Sequence, residues 1–317
     1  MYKRQKLCLV CFFLGFLYIL LFIISAIWKS YNSMSMYWDK RSKTVSFPMT
    51  GLKTILSTND MCDSMPYLVV LVPTQHKSVE ERHSIRKTWM NPVWANLNRN
   101  YTVKLIFVVG TSLNRIDDLI IKDEHEQYKD ILEGDFMESY TNLTLKILFG
   151  LNWINKFCDS AQYVLKADDD TLIILPNLLR FLSQTRLKTR IIGHIVEGEE
   201  VKRKGRWKVD SNLYPHKIYP PYVFGNSYVI PINIIEHLVT ASNYIPMITV
   251  EDAYITGILR REAHSGLIHH PGFALRLHSI KVFNLCLYRD KISITNLGPL
   301  KLLEMWSSIV HFNHSDC

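Results

Sequence analysis

The chain has 317 residues, of which 48% are hydrophobic and 21% are charged, and its formal net charge at pH 7 is +8. Because no basic stripe is interleaved with aromatic residues, this charge favours anionic ligands and argues against a nucleic-acid-binding protein. There is neither an internal repeat nor a low-complexity linker, so the length favours one large domain over several.

The amino terminus has the pattern of a membrane anchor. Lys3, Arg4 and Lys6 precede a nearly unbroken apolar segment, Leu7–Ile27, which is long enough to cross a bilayer as a helix. The end of this segment matches a signal-peptide cleavage site poorly, so we expect it to be retained. The basic cluster predicts that residues 1–6 are cytoplasmic and that the rest of the chain faces the lumen or the outside.

Residues 28–65 are polar and lack a periodic pattern, which predicts a stem, and residues 66–317 then form a luminal domain. Four widely spaced cysteines could form two disulfides in an oxidising compartment, with the pairing left open. These cysteines are Cys62, Cys158, Cys286 and Cys317. Sequons for N-linked glycans begin at Asn100, Asn142 and Asn313.

The luminal part begins with a predicted strand and helix. Tyr67–Val72 is a continuous apolar run, and Val79–Met90 has helical spacing. Arg82 and Arg86 lie four residues apart on one face of this helix, near the ligand edge of an α/β sheet. They are candidates for contacts with a phosphate or nucleotide. The alternative is a solvated basic face paired with neighbouring glutamates.

The next segments continue the alternation of strands and helices. Val103–Val109 predicts a second strand, and Ile116–Tyr128 predicts a surface helix rich in charge. Ile131–Phe136 contains an acidic turn, and Thr141–Phe157 again has helical spacing. This alternation is typical of an α/β domain.

Three consecutive carboxylates follow the next predicted strand. Residues 163–165 suit a buried parallel strand, whose carboxyl end meets the ligand crevice of an α/β sheet. Asp168, Asp169 and Asp170 should therefore lie at a cleft. Three like charges need a cation or a network of donors, and oxygen ligands favour magnesium or manganese. The alternative is a solvated acidic turn.

A second acidic site lies further along the chain. Arg190–Ile195 predicts a strand, Glu197–Asp210 a loop near the cleft, and Tyr219–Ile230 an aromatic stretch that could stack on sugar rings or simply belong to the core. Glu251 and Asp252 then open a predicted helix. A carboxylate in that position could also be a helix cap and nothing more.

Taken together, these residues form an ordered set of six motifs that resembles the β-1,3-galactosyltransferase family, glycosyltransferase family 31, over nearly the whole luminal part. The motifs are Arg82-His-Ser-Ile-Arg-Lys-Thr-Trp89, Phe107-Val-Val-Gly110, Gly134 through Lys146, Lys166-Ala-Asp-Asp-Asp170, Tyr219-Pro-Pro-Tyr222 and Glu251-Asp252. The tract from Arg206 to Tyr228 looks closer to the galactosyltransferase branch than to the N-acetylglucosaminyltransferase relatives.

The resemblance implies a fold and an activity. The fold is α/β, a Rossmann-like single catalytic domain of GT-A type behind an N-terminal transmembrane helix, in a single-pass type II protein of the Golgi membrane. The activity is the inverting, Mn²⁺-dependent transfer of galactose from UDP-galactose to a 3-hydroxyl of a glycan on a glycoprotein or glycolipid. An N-acetylglucosaminyltransferase is the alternative within the family.

The resemblance also implies roles for individual residues. Asp170 is the metal ligand, and Asp252 is the base that takes the proton from the acceptor hydroxyl. The remaining candidates bind the nucleotide sugar. These are Arg82, Arg86, Lys166, Asp168, Asp169 and Glu251. For the two arginines, a role in bracing the fold is the alternative.

Two positions depart from the family pattern. Thr295 stands in the segment where the family has a histidine that can complete the metal shell, and Ser227 stands where glycine is common. These departures motivate an alternative, an anchored binding or chaperone-like paralogue that keeps the fold without turnover. A phosphatase with an aspartyl nucleophile is a third option, weakened because Leu172 occupies a position where that motif has threonine or valine.

Overall fold

The computed structural model describes residues 15–25, 51–91, 101–273, 275–276 and 285–311. Residues 15–25 form a helix with exposed side chains, and this helix and the sheet described below belong to different compact units of the chain. The predicted membrane segment, Leu7–Ile27, lies partly outside the described residues. Within the parts of the chain that are described, no helix is both long enough and apolar enough to span a bilayer.

The larger unit is built on a mixed sheet. In the described residues it has eight strands in the order β1-β4-β3-β2-β5-β8-β7-β9, and a smaller sheet has the order β10-β11-β6. The strands are β1 (Thr54–Leu56), β2 (Leu68–Pro73), β3 (Val103–Thr111), β4 (Ile131–Met137), β5 (Tyr163–Ala167), β6 (Leu172–Ile173), β7 (Arg190–Val196), β8 (Tyr222–Pro231), β9 (Gly266–His269), β10 (Leu275–Arg276) and β11 (Ser293–Thr295).

Helices cover the sheet. They are α1 (Val79–Lys87), α2 (Arg115–Tyr128), α3 (Leu143–Phe157), α4 (Leu175–Gln184), α5 (Ile235–Ser242), α6 (Ala253–Leu259, a π-helix continued as an α-helix over Arg260–Glu262) and α7 (Pro299–Val310). Single 3₁₀ turns occur at Asn59–Cys62, Tyr140–Asn142, Ile232–Ile234 and Leu285–Tyr288. The α/β fold class predicted from the sequence is therefore confirmed.

The centre of the sheet is parallel and buried on both faces. Strand β2 pairs in parallel with β3 and β5, and all six of its residues are buried, which explains its continuous apolar sequence. Val70 and Val72 belong to the core cluster that also contains buried residues of α1, α4 and α7. On helix α3, a Cβ at Gly150 would lie 2.7 Å from Leu71 Cδ1, so this glycine lets the helix approach β2 closely.

The strand register positions the acidic triplet. Lys166 in β5 pairs with Leu71 in β2, so the chain leaves β5 beside the residues that follow Pro73. On the other side, β8 runs antiparallel to β5, with Ala167 opposite Ser227. The triplet therefore emerges at the edge of the sheet where an α/β fold binds its ligands.

Two segments differ from the sequence-based expectation. Ile131–Phe136 is not an acidic turn but part of strand β4, which pairs in parallel with β3 and buries Glu133. The predicted stem, residues 28–65, was expected to precede the domain. Its described part includes strand β1, which pairs antiparallel with β4, so the domain extends at least to Thr54. The hydrophobic pattern of a three-residue edge strand is too short to be read from sequence.

The predicted disulfides and sequons fall on both described and undescribed residues. Cys62 and Cys158 form a disulfide with a Cα–Cα distance of 5.1 Å, which resolves one pairing that the sequence left open. Cys286 is also disulfide-bonded, whereas Cys317 lies outside the described residues. Asn142 lies in the turn before α3 and donates to the Met137 carbonyl oxygen at 2.8 Å. Asn100 and Asn313 lie outside the described residues.

Candidate active site

A cavity of about 800 Å³ opens at the carboxyl ends of β2 and β5. It joins the two acidic sites predicted from the sequence, although they lie far apart along the chain. Six of the eight residues predicted to bind the nucleotide sugar, hold the metal or act as the base line this cavity. They are Lys166, Asp168, Asp169, Asp170, Glu251 and Asp252.

Lys166 connects the two acidic sites. Its side chain is 1% exposed, and its ammonium group donates to the Asp168 carboxylate and to the Gly225 carbonyl oxygen. Its Nζ also lies 3.8 Å from Glu251 Oε2. Burial alone would lower the pKa of Lys166, but the charges of Asp168 and Glu251 raise it above its usual value. The lysine therefore stays cationic and links β5 to the start of α6.

Glu251 belongs to the cavity lining but is almost entirely buried. The Tyr228 hydroxyl donates to Glu251 Oε1 at 2.5 Å, and the glutamate is 4% exposed. Burial raises the pKa of Glu251 to about 7, although Lys166 acts to lower it. These contacts suit a role for Glu251 in positioning Tyr228 and Lys166.

Asp252 is partly exposed and lines the cavity at the position immediately before α6. The Ala253 amide donates to Asp252 Oδ1 at 2.9 Å, so the helix-cap interpretation considered from the sequence also applies to this carboxylate. A Cβ at Gly225 would lie 2.9 Å from Asp252 Oδ2, so only glycine leaves this space. Burial raises the pKa of Asp252 to about 6. At neutral pH the group is therefore ionised yet basic enough to accept a proton.

Asp169 and Asp170 are close to neighbouring hydroxyl groups. Thr74 donates to Asp169 Oδ2 at 3.4 Å, and Thr295 donates to Asp170 Oδ1 at 3.3 Å. Burial and the charge of Asp168 raise the pKa of Asp169 to about 6 and also raise the pKa of Asp170. The described part of the chain thus leaves negative charge at the triplet incompletely balanced.

The two predicted arginines do not line the cavity. Arg82 is fully buried, and its guanidinium donates to both Glu124 oxygens, at 2.8 and 2.5 Å, and to the Gln75 carbonyl at 2.5 Å. Arg86 donates to Glu124 at 2.6 Å and to Asp130 at 2.8 Å. Their partners lie on and after α2 rather than among the neighbouring glutamates of α1. This geometry favours the alternative that they brace the fold.

Sequence reasoning assigned no role to a second buried lysine at the cavity. Lys146 in α3 is 3% exposed and donates to the Thr74 carbonyl at 2.5 Å and to Glu138 Oε1 at 2.6 Å. Both Lys146 and Glu138 line the cavity. Both residues belong to the motif from Gly134 to Lys146, and this membership was the sequence feature that pointed to them. No role was assigned to the individual residues of that motif.

Four aromatic side chains border the cavity and are called the aromatic wall. They are Tyr140, Trp207 on the loop over residues 197–210, Tyr219 and Tyr222. Trp207 is 48% exposed and donates through Nε1 to the Tyr140 hydroxyl at 3.0 Å. The Arg206 guanidinium lies 4.0 Å from the centre of the Tyr140 ring, and the Lys202 ammonium lies 4.9 Å from that of Trp207. Tyr219 and Tyr222 of the aromatic stretch also line the cavity.

The two departures from the family pattern differ in position. Thr295 lines the cavity beside Asp170, as the sequence comparison implied. Ser227 is fully buried and does not line the cavity. Its hydroxyl donates a hydrogen bond to the Ser293 hydroxyl at 2.8 Å. A side chain at position 227 therefore leaves the described cavity wall unchanged.

The sequence of this chain is similar to those of known proteins. A sequence model of the family described as Galactosyltransferase matches residues 80–270, which is more than half of the chain. Beta-1,3-galactosyltransferase 1 of Mus musculus is 28% identical over 83% of this chain and 80% of its own length. Beta-1,3-galactosyltransferase 5 of Homo sapiens is 28% identical over 95% of this chain and 96% of its own.

Two solved structures are distantly similar to this chain. A glycosyltransferase involved in the glycosylation of the major capsid of PBCV-1 aligns with a TM-score of 0.41 and 10% identity, over 76% of this chain and 100% of its own. The galactosyltransferase LgtC, in complex with donor and acceptor sugar analogues, aligns with a TM-score of 0.39 and 10% identity. That alignment covers 78% of this chain and 98% of LgtC.

Proposed function

The chain belongs to the galactosyltransferase family, and on that basis we propose that it transfers galactose from UDP-galactose to a 3-hydroxyl of a glycan acceptor, forming a β-1,3 linkage with inversion. The observation that carries the proposal is that Asp170 and Asp252 line one cavity. The relatives named β-1,3-galactosyltransferases support the donor and the linkage, because their similarity extends over most of the chain. The proposed fold type is GT-A.

The proposed cofactor is Mn²⁺, and the residues at the triplet fit a hard divalent ion. Asp170 offers a carboxylate and Thr295 a hydroxyl, so both are oxygen donors. Burial and neighbouring charge raise the pKa of Asp170, and a nearby cation would reverse this destabilisation of the ionised carboxylate. When bound, the ion offsets the negative charge that develops on the departing nucleoside diphosphate.

The residues around the triplet position the donor. Asp168 is held by Lys166, and Asp169 accepts from Thr74, so two carboxylates have fixed directions in the cavity. We assign them contacts with the ribose or the donor sugar. Such fixed groups accelerate transfer by holding the anomeric carbon and the incoming hydroxyl in line.

Asp252 is the proposed general base. Inversion requires the acceptor hydroxyl to attack from the face opposite the leaving group, and a carboxylate must take its proton during that attack. The proton moves from the 3-hydroxyl to Asp252, the new glycosidic bond forms, and the bond to UDP breaks. A single displacement needs no enzyme nucleophile.

We also propose that the protein is a single-pass type II protein of the Golgi membrane, anchored by residues 7–27. The basic residues before this segment and its apolar length support the orientation. The Cys62–Cys158 disulfide supports a domain that matures in an oxidising compartment.

The experiment that tests the function offers the full chain a panel of UDP-sugars and β-linked glycan acceptors, with and without Mn²⁺. We expect transfer from UDP-galactose, a β-1,3 linkage by NMR of the product, and loss of activity on chelation or in Asp170→Asn. The matched control is Asp123→Asn on the exposed face of α2, which should retain activity.

Other results of this experiment would contradict the proposal. Preferred transfer from UDP-N-acetylglucosamine would assign the chain to the alternative activity within the family. Glycan binding without turnover of any donor would support the binding or chaperone-like alternative. Activity unaffected by Asp170→Asn would remove the metal assignment.

The aromatic wall yields a separate prediction about the acceptor. Replacing Trp207 with alanine should raise the KM for the acceptor about fivefold and change kcat little, because stacking against a sugar ring contributes about 1 kcal/mol. Steady-state kinetics with the acceptor varied at saturating donor would measure this effect. Phe157→Ala, an exposed aromatic that does not line the cavity, is the control. An unchanged acceptor KM would show that Trp207 does not contact the acceptor.

A further inference from the structure

Three side chains with metal-ligating atoms converge at a place that does not belong to the cavity lining. His76 follows β2, Asp118 lies in the first turn of α2, and Glu133 lies in β4. One nitrogen of the imidazole and one oxygen of each carboxylate all lie within 4.8 Å of one another. Strands β2, β3 and β4 are adjacent and parallel, which explains why residues so far apart in sequence meet at one edge.

Glu133 is the residue that requires an explanation. It is 3% exposed, and in the described part of the chain no residue donates a hydrogen bond to its carboxylate. Leaving a buried carboxylate without a donor or counterion is costly. The carboxylates of Glu133 and Asp118 also lie within 4.8 Å of each other. A buried acidic group therefore faces a second carboxylate across the cluster.

The other two groups complete a recognisable donor set. His76 is 6% exposed, and its Nε2 lies 3.2 Å from Asp118 Oδ1. Asp118 is 34% exposed and also accepts from the Ser112 amide at 2.9 Å. The cluster is thus buried at His76 and Glu133 and open to solvent at Asp118, which gives an ion a route of entry.

We propose that His76, Asp118 and Glu133 form a second cation site, separate from the acidic triplet, that binds Zn²⁺ or a closely related ion. One imidazole and two carboxylates are a mixed nitrogen and oxygen set, which suits zinc better than the hard ions that oxygen-only sites select. Three protein ligands leave a fourth position, which water can fill from the exposed side of Asp118.

Binding requires the cluster to contract. Ligand atoms about 2.1 Å from one ion in a tetrahedral site lie about 3.4 Å apart, so a pair as wide as 4.8 Å must close by about 1.4 Å. Asp118 is the ligand with room to move, because its side chain is partly in solvent. His76 and Glu133 are fixed by their burial.

An ion at this site would fix the turn between β2 and α1. Thr74 and Gln75 of this turn line the cavity, and Arg82 donates to the His76 carbonyl oxygen at 3.4 Å. Tying His76 to α2 and β4 would restrict the residues that contact Asp169. The site itself does not depend on the proposed galactosyl transfer.

The test measures zinc binding to the untagged full chain, stripped with chelator, by calorimetry and elemental analysis in excess Mg²⁺. Asp170→Asn is used as the background to weaken binding of zinc at the triplet. We expect one equivalent of Zn²⁺, a higher Tm when it is bound, and cobalt absorption bands typical of nitrogen and oxygen ligation. Glu133→Gln should weaken zinc binding at least about tenfold, while keeping the volume of the side chain.

Two further variants make the outcome decisive. Asp118→Asn changes a partly exposed ligand and tests the site even if Glu133→Gln fails to fold. His237→Gln replaces an exposed histidine elsewhere and should bind zinc as before. No zinc uptake, or uptake that both ligand variants retain, would overturn the proposal. The cluster would then be a hydrogen-bonded His76–Asp118 pair beside a protonated glutamate.

Discussion

Replacing Asp252 with asparagine is expected to lower kcat by two to four orders of magnitude, within the range of about 10²–10⁴ that general-base catalysis supplies. Asparagine keeps the size of the side chain and can still fill the space beside Gly225, but it cannot take a proton. The KM for the donor should change little, because the triplet that positions the donor is intact. Steady-state kinetics together with a thermal melt would separate lost chemistry from lost folding.

The pH dependence of the wild-type enzyme provides the companion measurement. Burial raises the pKa of Asp252 to about 6, and only the ionised form can act as a base. Therefore kcat/KM should fall about tenfold per pH unit below pH 6, and this limb should be absent from the residual activity of Asp252→Asn. The control is Asp123→Asn, which should reproduce the wild-type profile. An Asp252→Asn enzyme with near-normal kcat would remove the base assignment.

Replacing Lys166 with methionine should lower the free energy of unfolding by about 3–5 kcal/mol, because it leaves the buried carboxylate of Glu251 without its cation. The two partners are Asp168 and Glu251, and the lysine itself is 1% exposed. Denaturant unfolding at pH 7 would measure the change. Activity should also fall, since Lys166 orients Asp168 in the cavity.

The pH dependence of the stability loss in Lys166→Met distinguishes an unpaired buried carboxylate from a loss of packing. Without the lysine, Glu251 should be buried in its neutral form, so its folded-state pKa rises further above the unfolded value. Such a group favours the folded state below its unfolded pKa, and this contribution is lost as the pH rises through the folded pKa. The loss of stability in Lys166→Met should therefore be smaller at pH 5 than at pH 8.

A surface lysine provides the control for this experiment. Lys301→Met removes a pair with Glu304 that is largely in solvent, and it should change the free energy of unfolding by no more than about 1 kcal/mol. Adding Glu251→Gln to Lys166→Met should recover part of the loss. Equal losses in Lys166→Met at both pH values would instead point to packing.

Much of the fold follows from local sequence pattern. Strand β2 is a run of apolar residues because both of its faces are covered, and such a run is visible without a structure. The triplet at Asp168 follows a strand of the same kind, so its place at a cleft follows from the general behaviour of parallel sheets. Helix α6 was expected from the spacing after Asp252. That Asp170 and Asp252 share a cavity rested on the resemblance.

Other interpretations depended on partners that only the tertiary structure brings together. Arg82 and Arg86 have the spacing of a ligand-binding face, yet Glu124 and Asp130 occupy their guanidinium groups. Nothing in the sequence of α1 reveals that α2 supplies those carboxylates. Glu133 was assigned to an acidic turn, but it lies in a strand that buries it, which violates the usual pattern of burial. That violation is the basis of the proposed zinc site.

The Cys62–Cys158 disulfide closes a covalent ring that contains β2 to β4 and α1 to α3 and ends before β5. A protease that cuts one peptide bond inside this ring leaves both fragments joined through sulfur, so the nicked protein keeps its mobility on a non-reducing gel and separates only after reduction. Cleavage between Cys158 and Asp252 is not bridged by this bond. Cleavage in the amino-terminal half of the domain therefore leaves the two fragments covalently joined, whereas cleavage between the triplet and Asp252 does not leave them joined by this disulfide.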